Sequence, residues 1–118
     1  MKKESDASKE EGWAVDFYKT VEGKNPVEQF ILNLPDKARA KVNRTIELLA
    51  MLGLALPMPH SRKVQGVEKL RELRIQAPPH IHRIFYFATT GRRFILLHGF
   101  TKKTEKTPLR EIQIAVAR

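Results

Sequence analysis

Three β-forming runs follow one another almost without interruption: KLRELRIQA from Lys69, HIHRIFYFAT from His80 and RRFILLHGFT from Arg92. Only Pro78 and Pro79 separate the first two, and TTGR turns between the second and third. Links this short leave no room for a crossover helix, so the three runs must be antiparallel neighbours in one sheet. Every other element has to be placed around that meander.

Upstream, GWAVDFYK alternates Trp13, Val15 and Phe17 with Ala14, Asp16 and Tyr18, which predicts a strand with one apolar face. KNPVEQFILNL then carries a helix start: Asn25 as N-cap, Pro26 at the first helical position and Glu28 at the third. Val27, Phe30, Ile31 and Leu34 fall at helical spacing, Pro35 ends the helix, and Asp36 is placed to cap the next. From Asp36 to Leu52 the chain is rich in helix formers. Ala38, Val42, Ile46, Leu49 and Leu52 form the expected core stripe, with Lys37, Lys41, Arg44 and Glu47 outward and Gly53 as the stop. The two helices make an antiparallel hairpin.

LALPMPHSRKVQG is broken by proline and reads as a loop, with a short strand expected near Lys63 to Gln65. TPLREIQIAVA signals a last helix, with Thr107 as N-cap and Pro108 behind it. The order β, α, α, meander, α predicts an α+β domain. Its expected form is a twisted, mainly antiparallel sheet of four to five strands, with the hairpin and the C-terminal helix packed on one face. The uncovered face is then the place to look for chemistry.

At 118 residues the chain suits one domain, taken as 13–118; MKKESDASKEEG before it reads as a solvated, disordered lead-in without the apolar core of a secretory signal. Lys and Arg number 22 against 13 Asp and Glu, a net charge of +9 that points to a polyanion, most often nucleic acid. The absence of cysteine excludes disulfide staples, thiolate nucleophiles and Cys-based zinc sites, and suits a reducing, cytoplasmic setting. No apolar run is long enough to cross a bilayer, so no membrane partner is expected.

Alternation sets the faces. Leu73, Ile75 and Ala77 share one side of the first run, leaving Glu72, Arg74 and Gln76 on the other. The middle run is apolar on both faces, with Arg83 in phase with Phe85 and Phe87, and His82 in phase with Tyr86. A guanidinium among phenylalanines needs either a structural partner or a functional role. An ion pair with Glu72 would be the first, and contact with a phosphate the second. In the third run, strict alternation puts His98 and Phe100 with Phe94 and Leu96, while Gly99 permits a bulge or close approach. Lys102 and Lys103 follow as the strand leaves the sheet. His80 and His82 lack a third ligand at metal spacing, and His60 and His80 sit in proline-rich loops, so neither a metal nor another cofactor is expected.

The ordered set ELR, RIFYF and LLHGFTKKTEKTP resembles the phage-derived, HigB-like branch of the RelE/ParE toxin superfamily, over Trp13 to Arg118. That resemblance implies a RelE/ParE-like fold and the toxin of a type II toxin–antitoxin system. The activity it implies is that of an mRNA interferase, cutting messenger RNA on the ribosome and silenced by a cognate antitoxin, often a helix-turn-helix protein. Partners would be antitoxin, mRNA and ribosome, with DNA reached only through the antitoxin complex. The matching positions are Arg74, Arg83 and the basic pair Lys102 and Lys103, with His98 as a looser match at the strand end. Two departures stand out: Leu70 and Glu72 replace the lysines that RelE-type members carry before LR, and the C-terminal segment has no tyrosine.

The implied reaction needs no metal. The 2′-OH attacks the adjacent phosphate, a dianionic phosphorane forms, and a 2′,3′-cyclic phosphate remains. Arg74, Arg83, Lys102 and Lys103 are the expected charge stabilisers and His98 the proton-transfer group. Arg62, Lys63 and Arg71 are the expected further RNA contacts, with Phe100 or Tyr86 to stack a base. Two other readings compete: a ParE-like inhibitor of DNA gyrase, and a non-catalytic nucleic-acid-binding module.

Overall fold

The computed structural model describes residues 12–57, 60–102 and 109–118. The expected lead-in up to residue 11, Lys103, and the Thr107 and Pro108 helix start lie outside the described residues. The elements run β1 (Ala14–Phe17), α1 (Pro26–Leu32), α2 (Asp36–Leu52), a 3-10 turn (Gly53–Ala55), β2 (Ser61–Lys63), β3 (Arg71–Ala77), β4 (His80–Thr89), β5 (Arg93–Lys102) and α3 (Leu109–Ala117). Five strands form one open, mixed sheet in the order β1-β5-β4-β3-β2. The meander is antiparallel as its links demand, and β1 joins the outside of β5 in parallel, with Ala14 opposite Arg93 and Phe17 opposite Leu96.

Local signals explain most boundaries. The Asn25 side chain accepts from the Glu28 N–H at 3.2 Å, which starts α1 behind Pro26. Pro35 occupies the N-cap of α2 without a side-chain cap, and Asp36, one residue inside, pairs with Arg39 instead of capping. Gly53 ends α2 at φ 60°, and an added Cβ there would overlap the Trp13 indole, so glycine is required twice over. The buried stripe of α2 is Ala38, Val42, Thr45 and Leu49; Ile46 is only partly buried and Leu52 is exposed. The stripe is thus rotated slightly from the one expected. The short strand β2 falls two residues earlier than expected.

The hairpin packs on one face of the sheet, where Val27, Ile31, Val42, Leu49, Leu73, Ile75, Ile84, Tyr86, Phe94 and Leu96 form the larger core. On the other face Phe85, Leu97 and Phe100 pack with Val64, Leu70 and Ala115 of α3, and Ile112 adds to them. The α+β class stands, but α3 does not join the hairpin; the sheet carries helices on both sides. Apolar residues on both faces of β4 are the reason, since a second greasy face needs its own cover. No helix among the described residues is long and apolar enough to cross a membrane.

A bulge in β5 changes one expectation. Phe85 pairs with His98 and Tyr86 with Leu96, so Leu97 is the extra residue. The side-chain phase inverts there. His98 and Phe100 therefore lie with Leu97 on the α3 face, not with Phe94 and Leu96. Gly99 falls on the hairpin face, where a Cβ would stand 2.5 Å from the Phe30 ring.

Candidate active site

Register assembles the α3 face in rows. Arg62, Glu72, Phe85 and His98 are successive cross-strand partners from β2 to β5, as are Arg74, Arg83 and Phe100, and then Gln76, Ile81 and Lys102. Direct partners share a face. The structure therefore brings Arg62, Arg74, Arg83 and Lys102 around the single carboxylate of Glu72.

Arg83 is 1% exposed and Glu72 2%. The Arg83 Nη1–H donates to Glu72 Oε2, and Arg62 Nε–H donates to the same oxygen at 3.2 Å. The structural partner expected for Arg83 is present, since it pairs with Glu72, and that pair does not balance the site. Among the described residues, four cations meet one carboxylate. Burial lowers the Arg83 pKa from its ordinary value and Glu72 opposes that shift, with Arg74 and Arg62 adding repulsion. A guanidinium keeps its proton regardless. Burial also lowers the pKa of Lys102, and the positive charge of Arg83 lowers it further. The Nε–H groups of Arg74 and Arg83 are buried without a hydrogen-bond partner among the described residues. Donors buried and unmatched in a zone of excess positive charge suit an anion's oxygens.

His98 lies on the same face, two residues along β5 from Phe100, whose ring stacks on the imidazole at 5.8 Å. One residue of α3 and another just past its end hold it. His98 Nε2 stands 2.5 Å from Glu111 Oε1, and Arg118 Nη1 stands 3.4 Å from Nδ1 while donating to the Leu97 carbonyl at 2.8 Å. Arg118 can only donate, so Nδ1 accepts and the ring proton sits on Nε2, facing Glu111. The guanidinium also lies 5.4 Å over the Tyr18 ring. A carboxylate-oriented imidazole with a basic second nitrogen is the arrangement a proton-transfer group requires.

Other expected residues lie elsewhere. Tyr86 is packed in the larger core on the hairpin face, with its hydroxyl 2.5 Å from Ser61 Oγ, and so shares no face with Arg83 and His98. Arg71 reaches the same hydroxyl at 3.3 Å, on that face. Lys63 is the partner of Arg71 at the sheet edge and lines a separate groove with it, away from Arg83. Phe100, 7% exposed, is chiefly core under α3. His82 also belongs to the hairpin face: Nδ1 lies 3.0 Å from Thr101 Oγ1, and burial, with His80 beside it, lowers its pKa. Among the described residues no three His, Asp or Glu side chains gather as metal ligands.

Sequence reasoning missed Glu111 and Arg118, the two groups that fix His98. Their only signal was position: an acid and a base at opposite ends of a short amphipathic helix in a chain short of acids.

No curated protein matches the chain. A family model described as phage-derived protein Gp49-like (DUF891) matches residues 29–118. That span takes in α2, the whole meander and α3, and with them every residue of the Glu72 cluster and His98 with Glu111 and Arg118. The chain belongs to this Gp49-like, phage-derived family, which is toxin-like in the RelE/HigB manner.

Proposed function

We propose that the protein is the toxin of a toxin–antitoxin pair and acts as a metal-independent endoribonuclease on messenger RNA, most effectively on the ribosome. The observation that carries this reading is the α3 face itself, where four cations surround one buried carboxylate and two buried Nε–H groups lack partners among the described residues. A phosphodiester brings the missing negative charge and acceptor oxygens. Its charge rises from one to two on forming the phosphorane, so the same cations bind the transition state more strongly than the ground state. One well-placed donor of this kind contributes about 3–4 kcal/mol.

The attacking 2′-OH must lose a proton, and His98 Nδ1 is the basic atom held on this face. Glu111 at Nε2 acts as a positioning residue, keeping the tautomer and stabilising the imidazolium that forms. The same imidazolium can return a proton to the departing 5′-oxygen. Arg118 must give way at Nδ1 for substrate to enter, a small motion for a long side chain carried just past the end of α3.

The direct test is primer extension on programmed ribosomes and on bare mRNA, with wild type beside His98→Ala. Cuts lost in the variant, with its fold intact by circular dichroism, support the reading; a general acid–base group accounts for about 10²–10⁴ in rate. Cutting that survives His98→Ala undiminished removes His98 from the mechanism. Nucleic-acid binding with no cutting by wild type would leave a binding module, and inhibition of supercoiling would turn the reading to gyrase.

A further inference from the structure

β2 pairs with β3 only from Arg71 to Leu73, so β3 becomes the sheet's edge from Arg74 onward. Just before β2, the His60 carbonyl meets that edge, accepting from the Arg74 N–H at 2.9 Å. On the other side α2 presents Lys41, Arg44, Thr45 and Leu48, spaced as one helical face. Between α2 and this edge lies a cleft of about 310 Å³, lined by these four side chains together with His60 and Arg74.

The chemistry of the cleft is one-sided. Lys41, Arg44, Arg74 and His60 line it, and among the described residues no carboxylate does. Lys41 spends one N–H on the Gln76 carbonyl at 3.0 Å and keeps two. Arg44 makes no hydrogen bond or ion pair among the described residues. The walls carry the apolar side chains of Leu48 and Ile75. A cleft this small fits a sugar and its phosphate; a folded partner would find little to grip.

Arg74 connects this cleft with the candidate active site. It is the cross-strand partner of Arg83, and its charge is felt at both Arg83 and Lys102. Cations thus extend from Lys102 and Arg83, past Arg74 at the edge of the sheet, to Arg44 and Lys41, which line the cleft with Arg74. We propose that the cleft between α2 and the β3 edge is a second phosphodiester subsite, holding the backbone of single-stranded RNA next to the phosphate at Arg83. This rests on the RNA reading above and adds a direction to it: the strand enters or leaves over the β3 edge.

The experiment uses the full chain, a fluorescent RNA oligonucleotide carrying 2′-O-methyl groups so that it cannot be cut, and anisotropy over a range of KCl. Lys41→Gln with Arg44→Gln is compared with Lys19→Gln with Lys24→Gln, an equal loss of charge at exposed positions outside the cleft. The cleft pair is expected to bind more weakly and to flatten the plot of log K against log salt by about 1.4, at roughly 0.7 per phosphate contact for a single strand. The control pair is expected to bind as wild type does. All four positions are exposed helix or loop surface, so unchanged thermal melting accompanies either result. Equal affinity and slope for the cleft pair and wild type would overturn the subsite while leaving the nuclease reading intact, provided wild type cuts RNA. Equal weakening by both pairs would overturn it too, reducing the cleft to net charge. If wild type neither binds nor cuts RNA, the nuclease reading itself fails and the subsite falls with it.

Discussion

On the hairpin face of the sheet, the buried polar groups find matched partners. The Tyr86 hydroxyl meets Ser61, His82 Nδ1 meets Thr101, and apolar side chains fill the space around them. On the α3 face the buried polar groups are charged, their signs do not balance, and two N–H groups have no partner among the described residues. Both faces belong to the same strands, often to adjacent residues: Tyr86 and Phe85, His82 and Arg83. What separates them is the solvation cost each accepts. Neutral groups in satisfied pairs cost little to bury, whereas unmatched cations in the same protein are expensive and persist where they meet an anion. The first face is chiefly core, and the second is where the proposed cutting site lies.

The largest expected effect comes from breaking the balance of the α3 face. Glu72→Ala leaves Arg83 buried with only other cations near it and is expected to cost about 3–5 kcal/mol in urea unfolding. Replacing both partners together, Arg83→Met with Glu72→Leu, removes the buried ion pair and is expected to cost less stability than Glu72→Ala while abolishing RNA cutting. A double variant as unstable as Glu72→Ala alone would mean that the pair serves the fold and not the chemistry.

A smaller effect belongs to the hairpin face. Tyr86→Phe removes the hydroxyl from Ser61 and Arg71 and is expected to cost about 0.5–1.5 kcal/mol, with cutting unchanged. Loss of cutting in a stable Tyr86→Phe protein would erase the distinction between the faces.

The smallest is a pH effect. Burial lowers the folded-state pKa of His82, so on acidification the unfolded chain takes up that proton first. The associated stability is present above the unfolded value of about 6.5 and is lost as pH falls from there through the folded pKa. Unfolding midpoints taken at neutral and mildly acidic pH should converge slightly in His82→Gln. An unchanged difference would show that His82 is not a source of the acid sensitivity.

Much of this architecture is readable in the residues. The short links PP and TTGR dictate the antiparallel meander, and the Asn25-Pro26 start of α1 needs no tertiary information. The alternation of β3 and β4 correctly separates Arg74 and Arg83 from Leu73 and Tyr86. The phase of β5 is not readable past Leu97, because a bulge depends on how two strands meet and leaves no mark in one strand's pattern beyond Gly99. Strict alternation therefore puts His98 on the wrong face. The side taken by α3 is also a tertiary matter: Ile112 and Ala115 announce an apolar stripe but not which of two apolar faces receives it. Glu111 and Arg118 reach His98 only because that choice fell as it did. The cleft beside α2 hides for a related reason, since Lys41 and Arg44 look like ordinary solvated helix positions until the β3 edge is set opposite them.

The central claim is that RNA is cut on the α3 face by its own 2′-OH, without a metal-bound water. The most direct test is end-group analysis of the fragments produced on programmed ribosomes, for wild type and for Arg83→Met with Glu72→Leu. Wild type is predicted to leave 2′,3′-cyclic phosphate and 5′-hydroxyl ends, and the folded double variant to leave no fragments. Ends bearing 5′-phosphate, or cutting retained by the double variant, would contradict it.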